Sequence, residues 1–204
     1  MEEKLQLIEA AQPLTTDPVL LDCFTLRVQH LANALLQSTR TIAEYDRQIE
    51  PVLKAHCEYS TVQSLPGAGV QMQARLIAAL GTDRNRFHSA NSLQSFSGIA
   101  PVEKQSGNTR LVNSRWACPK FIRQTFHEFA GLSIKQSAWA KAYYDLQIDR
   151  GKKTHAAKRA LAFKWQRIIF RCWQDRVPYD EHRYIQRLKK NNSPLLQYLE
   201  TTAD

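Results

Sequence analysis

The chain has 204 residues, 43% of them hydrophobic and 23% charged, and a formal net charge of +9. Such a composition excludes a disordered chain and a membrane protein, and it suffices for one good core, or two small ones, plus an appendage. No apolar run is long enough to span a bilayer, and the acidic start Met1-Glu2-Glu3 lacks the layout of a signal peptide, so a soluble cytoplasmic protein with no membrane role is expected.

Charge is unevenly placed. Residues 1–100 carry 8 basic and 10 acidic side chains, whereas residues 101–191 carry 20 basic and 7 acidic ones. A cationic excess gathered into one contiguous half is the footprint expected for a polyphosphate partner, and nucleic acid is the default.

In chain order, Lys4 to Gln12 reads as a short helix stopped by Pro13, after which Asp17 and Pro18 supply a cap and a first-turn proline. Residues 19–56 read as one long helix. Leu21, Phe24, Val28, Leu31, Leu35, Ile42, Tyr45, Ile49 and Val52 fall on alternating steps of three and four, with Ser38 the polar break in the seam. That spacing favours a coiled-coil arm that oligomerises, the other reading being a long helix folded back on its own domain; Pro51 is expected to kink or end it.

Leu65-Pro66-Gly67-Ala68-Gly69 then joins a helix end to an alanine-rich helix. This is the pattern of a helix-hairpin-helix, in which Pro66, Gly67 and Gly69 shape a turn whose amides face a phosphate. A plain helical turn without DNA contact is the alternative. Gly81 closes the second helix, and Ser89 begins another that ends at Gly98. Gln105-Ser106-Gly107-Asn108 is a turn signal between two short runs, Val102 to Lys104 and Thr109 to Val112, which predicts a small β-hairpin. Helices follow over about 119–131, 136–150 and 154–174, and the last ten residues are expected to fray.

The expected fold class is therefore mainly α. Residues 1–58 form a long coiled-coil helical arm, residues 59–190 a helix-hairpin-helix-containing helical domain with one short β-hairpin, and residues 191–204 a tail. Cys23, Cys57, Cys118 and Cys172 lack the paired spacing of a zinc site and are expected to be buried, reduced hydrophobes. The six histidines are scattered along the chain, and no H-E-x-x-H, Walker loop or dinucleotide fingerprint occurs, so no metal site or cofactor is expected here.

Ser106 lies among basic residues, with Lys104 and Arg110 beside it and Arg115, Lys120 and Arg123 close behind. Cations that offset phosphoryl charge and a glycine neighbour that gives access suit a hydroxyl attacking a DNA phosphate. No base is evident nearby, and by composition alone an ordinary turn serine is the stronger reading. Farther on, Lys152, Lys153, Arg159 and Arg167 are candidate phosphate contacts, interleaved with tryptophans that read more readily as core.

The order of Leu65-Pro66-Gly67-Ala68-Gly69, Ser95-Phe96-Ser97-Gly98-Ile99-Ala100-Pro101, Gln105-Ser106-Gly107 and the run from Arg115 to Glu128 closely resembles the C-terminal domain of the insertion-sequence one-ten transposases. These are DEDD/serine recombinases, relatives of the pilin-gene invertases, some of them guided by a bridge RNA. The resemblance extends over about residues 60–185, and it implies that Ser106 is the nucleophile that joins DNA through a phosphoserine. It further implies an N-terminal RuvC-like domain with four acidic residues that bind magnesium, to which nothing in this sequence corresponds. The first 60 residues resemble the coiled-coil connector that follows that domain. The chain is then a truncated form, a remnant or a stand-alone partner, and strand cleavage is absent or needs carboxylates in trans. DNA, a structured guide RNA and a second copy of the chain are the implied partners, in the prokaryotic cytoplasm at the nucleoid. The competing reading is a non-catalytic DNA- or RNA-binding and oligomerisation module.

Overall fold

The computed structural model describes residues 2–12 and 14–200. They form ten α-helices, one 3-10 turn and a single two-stranded antiparallel sheet, a mainly helical fold. The chain divides into two compact units, residues 1–48 and 49–204.

The first unit holds α1 (Glu2–Glu9) and most of α2 (Pro18–Ala55), a helix of 38 residues. Asp17 caps α2 by accepting from the Val19 and Leu20 amides (2.9 and 3.2 Å). Pro51 does not end the helix, which continues to Ala55. The expected seam is present but uncovered in the single chain: Phe24, Val28, Leu31, Leu35, Ile42 and Tyr45 are all exposed. Ser38 spends its hydroxyl on the Ala34 carbonyl of its own helix (2.8 Å), so this polar position carries no unmet donor into the seam.

The second unit is organised on α8 (Thr154–Asp175), whose Ala157, Leu161, Ala162, Trp165, Ile169 and Trp173 are buried at helical spacing. Against it pack α5 (Ala90–Phe96), α6 (Lys120–Ser133) and α7 (Ala138–Asp149), while α3 (Tyr59–Gln63) and α4 (Val70–Leu80) form a helical hairpin whose second helix lies on α6. Trp165 is fully buried between the Phe129 and Trp139 rings, 5.2 and 4.6 Å away, and its N–H donates to Ser133 Oγ (2.8 Å). Trp139 donates to Tyr179 Oη (2.6 Å) and Trp173 to the Gly81 carbonyl (2.8 Å). Each of these indoles thus buries a large apolar area without stranding its one donor.

Two elements lie beyond the helices expected from the sequence. In α9 (Glu181–Lys190), the Glu181 carboxylate accepts from Ser137 Oγ (2.9 Å) and the Ala138 amide (3.1 Å), closing the start of α7 from another element. The segment expected to fray instead forms α10 (Leu196–Glu200) against α7, with Leu195 buried before it. Residues 201–204 lie outside the described residues. The cysteines also differ from expectation: Cys118 and Cys172 are half-buried, but Cys23 and Cys57 are exposed. Cys23 sits on the uncovered α2, where there is no core to take it. Burial pushes the Cys172 thiol up to about 11, which keeps it protonated and inert.

Among the described residues, one ion pair is buried. Glu58, at the entrance to α3, receives Arg84 at 2.5 Å, and the guanidinium lies 4.5 Å above the Trp173 ring. Glu58 is 4% exposed, so its charge has little water to fall back on. Arg84→Met should cost about 3 kcal/mol in denaturant-induced unfolding, and adding Glu58→Gln should restore much of it, because the first change alone strands a buried carboxylate. Equal losses in the single and double variants would show that the pair is not what matters.

Candidate nucleic-acid interface

The β-hairpin forms where the turn signal placed it, with β1 (Val102–Ser106) and β2 (Thr109–Asn113) paired antiparallel around a Gly107-Asn108 loop. Gly107 has φ +56°, the left-handed angle a two-residue loop needs at its first position. The register pairs Ser106 with Thr109 and Lys104 with Leu111, and because directly paired residues share a face, Lys104 and Ser106 lie on one side of the ribbon. Ser106 is exposed at the tip and makes no side-chain hydrogen bond to another described residue. In the register Arg110 is paired with Gln105.

Both ends of the hairpin are fastened to the helical body. On the entering side, Ser97 Oγ donates to the Gln94 carbonyl (3.1 Å) and accepts from Gln166 Nε2 of α8 (2.7 Å), while Gln94 Nε2 donates to the Phe163 carbonyl (2.6 Å). Gly98 has φ +73°, and a Cβ there would overlap Cys118 Sγ, so the entering and leaving strands pass too closely for any side chain. On the leaving side, Arg123 Nη1 donates to the Arg115 carbonyl (3.3 Å), and Arg159 Nη1 donates to Ser114 Oγ (2.8 Å). The Ser-Phe-Ser-Gly and Arg-Trp-Ala-Cys-Pro motifs are thus the two halves of one mounting.

The fold does not treat the predicted cations alike. Arg123 and Arg159 both fasten the hairpin's exit, one on the Arg115 carbonyl and the other on Ser114, and no described carboxylate is paired with either or with Arg115. Lys120 is exposed at the start of α6, and Lys153 is exposed at the cap position of α8. Lys152 reaches back to Gln147 Oε1 (2.6 Å), and Arg167 is exposed farther along α8. Lys164, on the same helix, lies inward against Tyr143 at 4.5 Å, and its burial holds its pKa below the ordinary lysine value.

The α3–α4 turn packs partly inward. A Cβ on Gly67 (φ +78°) would come within 2.9 Å of the Leu132 carbonyl, so this glycine permits the turn's close approach to the end of α6. Pro66 is half-exposed. Gly69, the cap of α4, is exposed, with an ordinary φ of −69° and open space at its Cβ. Gln73 Nε2 braces the turn from below through the Ala68 carbonyl (2.5 Å).

Packing also assembles what the sequence scattered. His127 of α6 and His155 of α8 stack with ring centroids 5.7 Å apart. Burial lowers the His127 pKa first; a hydrogen bond to the His155 backbone opposes this, and the charges of His155, Arg159 and Lys158 lower it further. On its own helix, Glu128 is held by Arg75 of α4 and by Gln124, which keep its carboxyl below the usual range. Trp116 is a second surprise: it is 90% exposed, whereas the other three tryptophans are buried. Neither feature has a cue in residue spacing. Among the described residues, no three His, Cys, Asp or Glu side chains converge to hold a metal ion.

Residues 59–145, from α3 to within α7, match the model of the transposase IS116/IS110/IS902 family. Across this stretch the chain is similar to that family. It is 27% identical over 195 residues to the IS117 mini-circle protein of Streptomyces coelicolor, covering 96% of this chain and 45% of that protein. With a 44.8 kDa protein of insertion element IS116 from Streptomyces clavuligerus it shares 32% identity over 153 residues, 74% of this chain and 38% of that protein. With the transposase for insertion sequence element IS1111A of Coxiella burnetii the identity is 30% over 113 residues, 54% of this chain and 29% of that protein. The chain thus spans less than half the length of these relatives. The family match contains the hairpin, its mounting, Ser106 and Arg123, and it stops short of Lys152, Lys153, Arg159 and Arg167. No described helix of the chain is long and apolar enough to cross a membrane.

The lowered His127 pKa predicts an acid-sensitive domain. Because the folded His127 pKa lies below its unfolded value of about 6.5, its neutral form is favoured by folding. That stability is complete above the unfolded value and is lost as pH falls through it toward the folded one. The thermal midpoint should therefore drop between neutral and mildly acidic pH by less in His127→Gln than in the parent. Identical drops would exclude His127 as a source of the sensitivity.

Proposed function

We propose that this chain is the DNA-handling part of an insertion-sequence transposase, in which Ser106 Oγ attacks a DNA phosphodiester. The observation that carries the reading is the placement of Ser106: exposed at the tip of a fastened hairpin, with Lys104 on its face and with Arg123 and Arg159 fastening its exit. In the proposed step the Oγ–phosphorus bond forms as one bridging phosphorus–oxygen bond of the DNA breaks. The departing strand leaves with its oxygen, and the serine proton passes to a base that this hairpin does not supply. The cations lower the cost of bringing a polyanion to the hydroxyl and of the charge that develops on phosphorus oxygens. The described side chains do not fit magnesium, since no three carboxylate, His or Cys groups converge. The reading therefore assigns the metal to a RuvC-like domain acting together with this chain, and routes no step of this chain through it. Work on DNA, with a structured guide RNA as a further partner, places the chain at the prokaryotic nucleoid.

One observation favours a second reading. Ser106 has no described hydrogen-bond partner to take its proton, as suits a binding and assembly module whose serine only shapes a turn. Trapping separates the two. With the four-carboxylate domain and cognate DNA supplied, a covalent protein–DNA adduct should form and should be lost at least about a hundredfold in Ser106→Ala, as expected for a group that is itself the nucleophile. An adduct unchanged by that substitution would assign the chemistry elsewhere.

The same reading gives α2 a role. Its apolar seam recurs at heptad spacing with the polar break satisfied internally, and a second copy of the same helix supplies a matching seam. The solution mass should be at least that of a dimer, and Leu31→Glu with Leu35→Glu should yield a monomer whose second unit melts unchanged. A monomeric parent at tens of micromolar would refute this role.

A further inference from the structure

Three tryptophans of this chain are buried with 0 to 1% exposure and with their N–H groups bonded; Trp116 is 90% exposed, and its N–H has no acceptor among the described residues. Leaving a whole indole in water forgoes the burial that stabilises the other three, so such an exposure asks for an occupant. Trp116 is not in a fraying segment. The residue before it, Arg115, has its carbonyl gripped by Arg123 Nη1 (3.3 Å) and Cys118 Sγ (3.7 Å), and Ser114 is gripped by Arg159 Nη1 (2.8 Å). The backbone is clamped while the ring stands free, a pre-organised arrangement whose ordering cost has already been met in folding.

The charge around it selects the occupant. From Lys104 to His127 the chain carries Lys104, Arg110, Arg115, Lys120 and Arg123 and no aspartate or glutamate. Two of the clamps on this segment, Arg123 and Arg159, are themselves cations without a described carboxylate partner. A flat aromatic face set among cations recognises a ligand that is aromatic and polyanionic at once. A nucleobase on its phosphodiester strand has both properties, and its face is available for stacking only where the base is unpaired. We propose that Trp116 is a stacking platform for an unpaired nucleobase in a single-stranded segment of nucleic acid beside the Ser106 hairpin. The proposal rests on nucleic acid being the partner, and it adds the state in which that partner is held.

Because the other indoles are buried, the red-shifted and acrylamide-accessible part of the emission reports Trp116. Titrating the full 204-residue chain with a single-stranded thymidine homopolymer at low salt should quench that part. An abasic strand of the same length and charge, and a blunt duplex, should bind without quenching it. Trp116→Ala should weaken single-strand affinity by about tenfold, near the middle of what one stacked base contributes, and should leave duplex affinity and the melting midpoint unchanged. A ribose homopolymer that quenches equally would assign the platform to the base whatever the sugar, whereas a weaker effect would assign it to DNA. Equal quenching by the duplex, a single-strand affinity that Trp116→Ala leaves unchanged, or emission already shielded in the free chain would each overturn the platform while leaving the transposase reading intact. Failure to bind any of the polyanions would remove both.

Discussion

The fold of the second unit depends on the burial of one helix, α8, on three sides at once. Trp165 at its middle is the pivot, because an indole fully removed from water must find both apolar neighbours and an acceptor for its N–H. It obtains Phe129 from α6, Trp139 from α7 and the Ser133 hydroxyl from the end of α6. Those three demands fix where α6 and α7 lie. One turn and a half before Trp165, the same helix carries Arg159 to the hairpin's exit; one residue after it, Gln166 reaches Ser97 at the hairpin's entrance. The core aromatic and the hairpin mounting are consequences of one packing arrangement.

This mounting has an electrostatic cost that the protein carries openly. Arg123 and Arg159 fasten the hairpin's exit without carboxylates to neutralise them, whereas elsewhere the fold pairs its cations readily, as with Arg84 on Glu58 and Arg75 on Glu128. The clamps on the hairpin thus hold structure while keeping their charge unpaired among the described residues. His127 lies within reach of the same positive field, beside Lys158 and Arg159. An approaching polyanion would relieve that repulsion, which is why a phosphate-bearing partner suits this surface better than an uncharged one.

Much of this was legible in the residues. Helical periodicity located α2, α4 and α6 to α8 to within a few residues, since an amphipathic stripe is a local property of the chain. The Ser-Gly-Asn turn located the hairpin for the same local reason. The elements that were missed show the limit. α9 carries a local signal, the Asp180 cap and the apolar pair Tyr184 and Leu188 one turn apart, but its place is set by Glu181 capping α7 and by those two side chains packing on the core. Gly67 was read as shaping a turn, which its φ of +78° suits, and the Leu132 carbonyl packed against it adds a requirement that no residue spacing shows.

The sequence by itself therefore determined the helical class, the hairpin with Ser106 at its tip, the cationic second half and the family, because each is written in composition or in short spacings. Only the tertiary structure decided which cations converge on the hairpin, that His127 stacks on His155, and that Trp116 stands in solvent while its three counterparts are buried. These facts join residues tens of positions apart, and a contact of that kind comes into being only when the helices between them have packed.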